Sequence, residues 1–176
     1  MAHDVDEPIA VVTYDPAWPL LFDEEARRLR AGTLQHVGAI VHVGSTAVPG
    51  MVGKPIVDLI VGVADMSSAH RVAKDIEALG YENFGEIFIP GRVYLRRRGV
   101  QQFNVAITVE NGEFWRTQIL LRDYLRLHPE EAEAYSQSKL AAVAAGATMF
   151  SSYSQSKLPF LIELIKRAEH WSATGT

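Results

Sequence analysis

The sequence contains no cysteine and no long apolar run. The absence of cysteine among the 176 residues excludes disulfides, thiolate nucleophiles and cysteine-ligated zinc. No stretch approaches the ~18 consecutive apolar residues of a membrane-spanning helix. The first residues carry neither the basic nor the apolar segment of a signal peptide. We therefore expect a cytoplasmic protein that does not associate with membranes.

Basic charge is also scarce, since 17 lysines and arginines face 21 acidic residues and the formal net charge is −4. A mildly acidic chain is a poor partner for nucleic acid or an anionic membrane, because both attract basic surfaces. The hydrophobic fraction of 48% is too high for a disordered chain. The length fits one domain over residues 1–176. The sequence is compatible with a homodimer, but no exposed apolar stripe demands one.

The pattern of apolar residues predicts strands mixed with helices, followed by helices alone. Strands are expected at 9–13, 36–43, 55–63, 86–89, 92–97 and 101–109. Helices are expected at 16–32, 66–79, 113–127 and 130–145, and along a last segment with an apolar stripe from Leu158 to Trp171. This order predicts the α/β (α+β) class, with a mixed β-sheet flanked by helices and a helical C-terminal third.

The segment 41–58 contains the pattern most indicative of chemistry. Gly44 lets a phosphate approach the backbone, and the Ser45 hydroxyl with nearby N–H groups can bind anionic oxygens. Asp58, on the following strand, can hold Mg²⁺ that bridges those phosphates. This arrangement resembles the polymerase-β-like nucleotidyltransferase signature, in which Gly-Ser is followed on the next strand by Asp-x-Asp.

The second acid of that signature is missing, because Ile60 stands two residues after Asp58. One carboxylate binds Mg²⁺ poorly unless substrate phosphates complete its coordination shell. Alternatively, Asp58 only caps a neighbouring helix or pairs with Lys54 or an arginine, since an acid in so apolar a run needs a partner. A second acid would have to fold back from elsewhere, and the candidates are Asp123, Glu110 and Asp65.

Several longer motifs resemble the GrpB-like family, small bacterial proteins assigned to the nucleotidyltransferase superfamily. They read VTYDPAWP at 12–19, HVGSTAVPG at 42–50, KPIVDLIV at 54–61 and LRDYLRLHP at 121–129, followed by the region of Tyr135 and Lys139. The resemblance covers roughly residues 9–171. It implies a nucleotidyltransferase-like sheet flanked by helices, and members generally keep only the first acid, so Ile60 is not peculiar to this chain. The resemblance leaves the activity open, because the family as a whole has no settled activity.

The chain departs from this family in one strand. Relatives often carry a histidine-rich strand where this sequence reads QQFNV at 101–105, so that Asn104 replaces a histidine. Both side chains form hydrogen bonds, but asparagine cannot act as a base near neutral pH. Chemistry that needs the imidazole would be altered or lost in this member.

The expected catalytic residues are Asp58, also the metal ligand, with His42 for proton transfer and Lys54 to neutralise phosphate charge. The simpler alternative for His42 is a histidine that only forms hydrogen bonds within its strand, and for Lys54 a lysine that is only solvated. Strand parity would turn Arg96 and Arg98 toward the cleft, unless these arginines only guard a sheet edge. The expected substrate-binding residues are Gly44, Ser45, Thr46, Arg96, Arg98, Gln102, Asn104, Arg122, Tyr135 and Lys139.

These features favour a protein that binds a nucleoside triphosphate, or another anionic small molecule, together with Mg²⁺. Such a transferase would activate or modify a small acceptor. Two alternatives stay open, because a fold does not fix its chemistry. One is a regulatory module that binds a nucleotide or metabolite without turnover, and the other is a biosynthetic ligase or cyclase on the same fold.

Overall fold

The computed structural model describes residues 5–34 and 37–175, which form a five-stranded mixed sheet and five α-helices. The strands are β1 (Ile40–Val43), β2 (Val57–Val63), β3 (Glu82–Gly85), β4 (Arg92–Arg97) and β5 (Phe103–Val109). The helices are α1 (Trp18–Gly32), α2 (Met66–Ala78), α3 (Glu113–Leu127), α4 (Pro129–Ala144) and α5 (Phe150–Thr174). A short 3-10 helix spans Ser45–Ala47. Of the helices in this part of the chain, none is long and apolar enough to cross a membrane.

The sheet has the order β1-β2-β5-β4-β3, in which only β2 and β5 run parallel. The predicted mixed sheet and helical C-terminal third are therefore confirmed. The Asp65 carboxylate caps α2 as its sequence suggests, accepting a hydrogen bond of 2.7 Å from the Ser68 N–H.

Three predicted strands differ from the structure. Residues 9–13 form no strand, because Val12 exchanges backbone hydrogen bonds with the loop residue Gly53 rather than with a neighbouring strand. The predicted strand at 86–89 is wrong: β3 lies earlier, and this segment is a loop in which Phe88 has a positive φ of 62°. The predicted strand at 36–43 begins at Ile40, and residue 36 lies outside the described residues.

Alternation along the strands separates the two faces of the sheet. One face, including Leu59, Val105 and Leu95, packs with α1 and α2 into the largest apolar core. The other face carries Asp58 and Asn104, which are opposite each other in the parallel pair of β2 and β5. Helices α3, α4 and α5 pack together beside this second face and leave a cavity against it.

A buried ion pair joins α1 to the first face. Glu25 is 4% exposed, and its carboxylate accepts hydrogen bonds from Arg97 at 2.6 Å and from the Tyr81 hydroxyl at 2.7 Å. Arg28 adds a third at 2.8 Å. Arg97 therefore points away from the Asp58 face, as strand parity predicts for the middle residue of the Arg96–Arg98 run.

We expect Glu25→Gln to lower the free energy of unfolding by about 3 kcal/mol, because it leaves the Arg97 guanidinium without its buried counter-charge. Urea denaturation of the wild type and the variant measures the change. The control is Glu24→Gln, which alters an exposed carboxylate next in the chain and should change stability by less than about 0.5 kcal/mol. Equal effects of the two variants would contradict the proposed role of the ion pair.

Candidate functional site

The Asp58 side chain lies on β2 at one end of a hydrogen-bond chain that crosses the sheet. Its carboxylate accepts a hydrogen bond of 2.7 Å from the Asn104 amide, and the Asn104 oxygen accepts one of 2.9 Å from Arg98. Arg98 in turn donates to both oxygens of Glu7, at 2.8 and 3.0 Å. Burial raises the pKa of Asp58 despite the opposing effects of Lys54 and the Asn104 hydrogen bond. Asn104 thus holds the carboxylate in place rather than serving as a base.

The Gly44–Ser45 turn lies directly against Asp58. Gly44 has a φ of 73°, and a Cβ placed on it would come within 2.6 Å of the Asp58 Oδ2 atom. Only glycine combines this backbone conformation with so close an approach to the carboxylate. The 3-10 helix that starts at Ser45 then carries Thr46 beneath the turn. The turn and the acid, thirteen positions apart between Ser45 and Asp58, are therefore parts of one site.

His42 lies on the wrong side of the sheet for proton transfer beside Asp58. It pairs with Leu59 in the β1–β2 register, so its ring points to the α1 face and stacks on Phe22 at a centroid distance of 4.9 Å. Its Nε2 forms a 2.8 Å hydrogen bond with the Thr46 hydroxyl. Burial, with the nearby Arg126 and Arg122, lowers the pKa of His42 to about 4. The imidazole is therefore neutral, and its hydrogen bond to Thr46 stabilises the Gly44–Ser45 turn from the α1 side of the sheet.

Two lysines share the cavity with Asp58. The Lys54 ammonium lies 4.8 Å from the Phe150 ring centroid, and burial lowers its pKa although Asp58 and Glu7 oppose the shift. Lys157, on α5, has its pKa lowered to about 8 by burial and by the charge of Lys54. Sequence reasoning missed Lys157. The available signal was its position one turn before Leu161, on the part of α5 that faces the sheet.

The cavity between the sheet and the C-terminal helices has a volume of about 720 Å³. Its described lining contains four cationic side chains, namely those of Lys54, Arg92, Arg122 and Lys157, and a single carboxylate, that of Asp58. Much of the remaining wall is apolar, with contributions from Ile60, Phe114, Leu121, Leu161 and Ile165. The site therefore combines a positively charged region with an apolar wall.

Arg92 is a second residue that sequence reasoning missed. Its guanidinium lies 4.8 Å from the Tyr94 ring centroid and 5.7 Å from that of Phe114. One Nη atom donates to the Ile87 carbonyl oxygen at 2.9 Å, whereas the buried Nε has no hydrogen-bond partner among the described residues. Arg92 pairs with Thr108 in the β4–β5 register, and this register cannot be read from the sequence.

The other predicted site residues fall into three groups. Thr46, Arg122 and Tyr135 line the cavity, and Arg122 is held by an ion pair of 2.7 Å to Asp123. Lys139 lies behind Ser45, which itself lines the cavity. The residues outside the cavity lining are Arg96, Arg98 and Gln102.

Local contacts explain why those last residues lie outside. The Arg96 guanidinium is 4% exposed, packs on the Phe84, Tyr94 and Phe150 rings, and donates to the Val5 carbonyl oxygen at 2.7 Å. Gln102 precedes β5, and its carbonyl oxygen accepts a hydrogen bond of 3.0 Å from the Val57 N–H. The amino-terminal segment therefore covers the arginine run that the sequence assigns to the cleft.

The described residues fit a two-metal site poorly. Ile60 occupies the position of a second acid, and Asp58 is the single carboxylate of the described cavity lining. Asp65 and Glu110 lie at the opposite end of β2, where Asp65 caps α2 and Glu110 accepts a hydrogen bond from the Ala39 N–H. Asp123 pairs with Arg122 and does not line the cavity. Within residues 5–34 and 37–175, no group of three potential ligands is arranged to hold a metal ion.

Comparison with solved structures identifies the fold. GrpB from Enterococcus faecalis is 31% identical, with a TM-score of 0.83 over 92% of this chain and 99% of that chain. The Cid1 poly(U) polymerase, in a structure with Mg and 3'-dATP bound, is 18% identical, with a TM-score of 0.52 over 82% of this chain and 49% of that chain. The latter likeness concerns the fold alone, which is nucleotidyltransferase-like.

Sequence comparison agrees with the structural one. The UPF0157 protein YqkA of Bacillus subtilis is 30% identical over 164 residues, which are 93% of this chain and 48% of that protein. The chain thus spans about half of the length of this relative. The model of the family described as "GrpB protein" matches residues 8–167, from the segment that precedes α1 to the last third of α5. Because this match takes in the whole sheet, the Gly44–Ser45 turn and Asp58, the chain belongs to the GrpB family.

Proposed function

We propose that this protein binds a phosphate-bearing small molecule, nucleoside phosphates included, in the cavity next to Asp58. The observation that carries the proposal is the placement of Lys54 and Lys157 in one cavity with a single carboxylate. In this proposal the lysine ammonium groups, rather than a pair of metal ions, neutralise the charge of the ligand.

The electrostatics of the lysines support this proposal. Burial and the Lys54 charge destabilise the ammonium form of Lys157, which lowers its pKa to about 8. Each charge that burial leaves without full compensation is stabilised when an anion enters the cavity. Phosphate oxygens are well suited to several ammonium and guanidinium donors at once. Arg92 also lines the cavity and adds the charge of its guanidinium.

A second and more specific hypothesis is that the site binds Mg²⁺ with the nucleotide and transfers a nucleotidyl group. The close contact of Gly44 with Asp58 favours it, because a glycine turn that a phosphate could approach lies beside a carboxylate. When bound, Mg²⁺ would neutralise phosphate charge, with Asp58 as its one protein carboxylate. A single carboxylate is a poor set of ligands for this ion, so we propose that the lysines neutralise the charge of the phosphate. The role of Mg²⁺ stays a prediction for the following experiment.

Asp58→Asn separates the two hypotheses. Removal of a negative charge from a lysine-based site should keep or strengthen binding of a triphosphate, whereas a metal-based site would lose it. Thermal unfolding with ATP, GTP, CTP and UTP, each with Mg²⁺ or with EDTA, measures the binding. A ligand at a hundredfold excess over its Kd should stabilise the wild type by about 2.7 kcal/mol under both conditions.

Two results would contradict the proposal. A rise in Tm that requires Mg²⁺ and disappears in Asp58→Asn would identify a metal site. No rise with any of the four nucleotides would exclude nucleoside triphosphates as ligands. The matched control is Lys166→Met, which removes an exposed lysine of α5 paired with Glu163 and should leave the response unchanged.

The affinity for the triphosphate should rise as the pH falls through about 8. The Lys157 ammonium has a pKa of about 8 in the free protein, and a bound anion raises it, so protonation and binding favour each other. Between pH 9.5 and 8 we expect up to about a tenfold gain per pH unit, measured by calorimetry in EDTA.

Two variants control this pH dependence. Lys157→Arg should bind with a weaker pH dependence than the wild type, because guanidinium stays charged throughout this range and only Lys54 still titrates. Lys157→Met should bind the triphosphate at least about tenfold more weakly than the wild type. Any pH dependence that remains in this variant is due to Lys54. A wild-type affinity that is flat over this range, or a pH dependence that is the same in Lys157→Arg as in the wild type, would show that Lys157 does not contact the anion.

A further inference from the structure

Ser45 and Lys139 form a hydrogen-bonded pair at the edge of the cavity. The Lys139 Nζ atom lies 2.9 Å from the Ser45 Oγ atom and donates a hydrogen bond to the Val52 carbonyl oxygen. The lysine is 1% exposed, and its third neighbour is the Tyr135 ring, at 4.6 Å from the ring centroid. Among the described residues, no carboxylate forms an ion pair with this amine.

These surroundings favour the neutral amine. A buried ammonium without a counter-ion is costly, and loss of its proton removes the cost. Burial and the charge of Lys157 lower the pKa of Lys139 to about 7, while burial raises that of the Tyr135 phenol. A neutral amine can donate one N–H to the Val52 carbonyl oxygen and accept the Ser45 proton on its lone pair.

The local packing fixes Ser45 between this amine and the cavity. A Cβ placed on Gly53 would come within 2.8 Å of the Ser45 Cβ, so the Gly53 backbone packs tightly against the serine. Ser45 lines the cavity and directly follows Gly44, which contacts Asp58. The hydroxyl is therefore next to a base on one side and to the ligand space on the other.

We propose that Ser45 is a nucleophile, that Lys139 is its general base, and that the pair transfers the acyl group of an anionic acyl donor. The choice of an anionic donor rests on the proposed function, since Lys54 and Lys157 would hold its charge. The apolar wall formed by Leu121, Leu161 and Ile165 suits the acyl chain. Serine–lysine pairs perform this chemistry on unrelated folds.

The steps balance without a further reagent. The Ser45 Oγ forms a bond to the carbonyl carbon while its proton passes to the Lys139 amine. The bond from this carbon to the leaving heteroatom then breaks, and the Lys139 ammonium returns the proton to the leaving group. Water or a small hydroxyl or amino acceptor next attacks the acyl-serine, again with Lys139 taking its proton, and Ser45 is restored.

Reaction with an uncharged alkyl fluorophosphonate tests the pair, because this probe phosphonylates activated serines and does not need the anion site. Intact-mass spectrometry and peptide mapping should show one adduct, on Ser45. Ser45→Ala should abolish it, and Lys139→Met should slow it by about 100-fold or more, the usual contribution of a general base. Ser154→Ala, a serine that also lines the cavity, is the control and should react like the wild type.

The pH profile keeps the proposal falsifiable if Lys139→Met does not fold. The wild-type labelling rate should rise about tenfold per pH unit below 7 and level off above it, because only the neutral amine accepts the proton. The titratable groups that face Lys139 are Tyr135 on its own helix and Lys157 on α5; the former stays neutral in this range. Lys139→Arg, which keeps the charge and loses the base, should lose the labelling.

Absence of an adduct, an adduct on another residue, or a rate independent of pH would overturn the nucleophile proposal. None of these outcomes affects triphosphate binding. Conversely, a protein that binds no triphosphate and still labels at Ser45 would contradict only the proposed function. The two proposals therefore fail separately.

Discussion

The burial of the Asp58 carboxylate is the constraint on which the site depends. A carboxylate within an apolar strand loses much of its hydration, and it is tolerated only when hydrogen bonds and opposite charges replace the lost water. Asn104 supplies the hydrogen bond, and Lys54 and Lys157 supply the charge. Each of these partners comes from a different element, so the acid connects the sheet, the turn before β2 and the last helix.

The same constraint explains why the residues next to Asp58 are small or precisely placed. Gly44 has to lack a side chain because the carboxylate occupies the space in which its Cβ would lie. Asn104 is held by Arg98, and Arg98 is held by Glu7 of the amino-terminal segment. Asn104 and Arg98, which the sequence analysis assigns to substrate binding, therefore hold Asp58 in position instead. The positive charge left for a ligand comes instead from Lys54, Lys157 and Arg92.

The fold is shared with nucleotidyltransferases, but the charge distribution at its centre differs from a two-metal arrangement. Ile60 replaces an acid, and lysines surround the one that remains. The arrangement favours an anion over a cation at this point of the cavity. The buried Lys139 beside Ser45 follows a related principle, because burial lowers the pKa of its amine to about 7 and so favours the neutral form.

The sequence by itself determined the class of fold, the helical last third, the separation of Arg97 from its two neighbours, and the grouping of Gly44, Ser45 and Asp58 in one place. These follow from local periodicity, capping residues and motifs, which act over a few positions along the chain. Tertiary structure alone decided that His42 faces α1, that Arg96 is covered by the amino-terminal segment, and that Lys157 and Arg92 reach the cavity. The reason is physical: the register of β1, β4 and β5 and the docking of α5 arise from packing between distant segments, and no local pattern encodes which side chains that packing brings together.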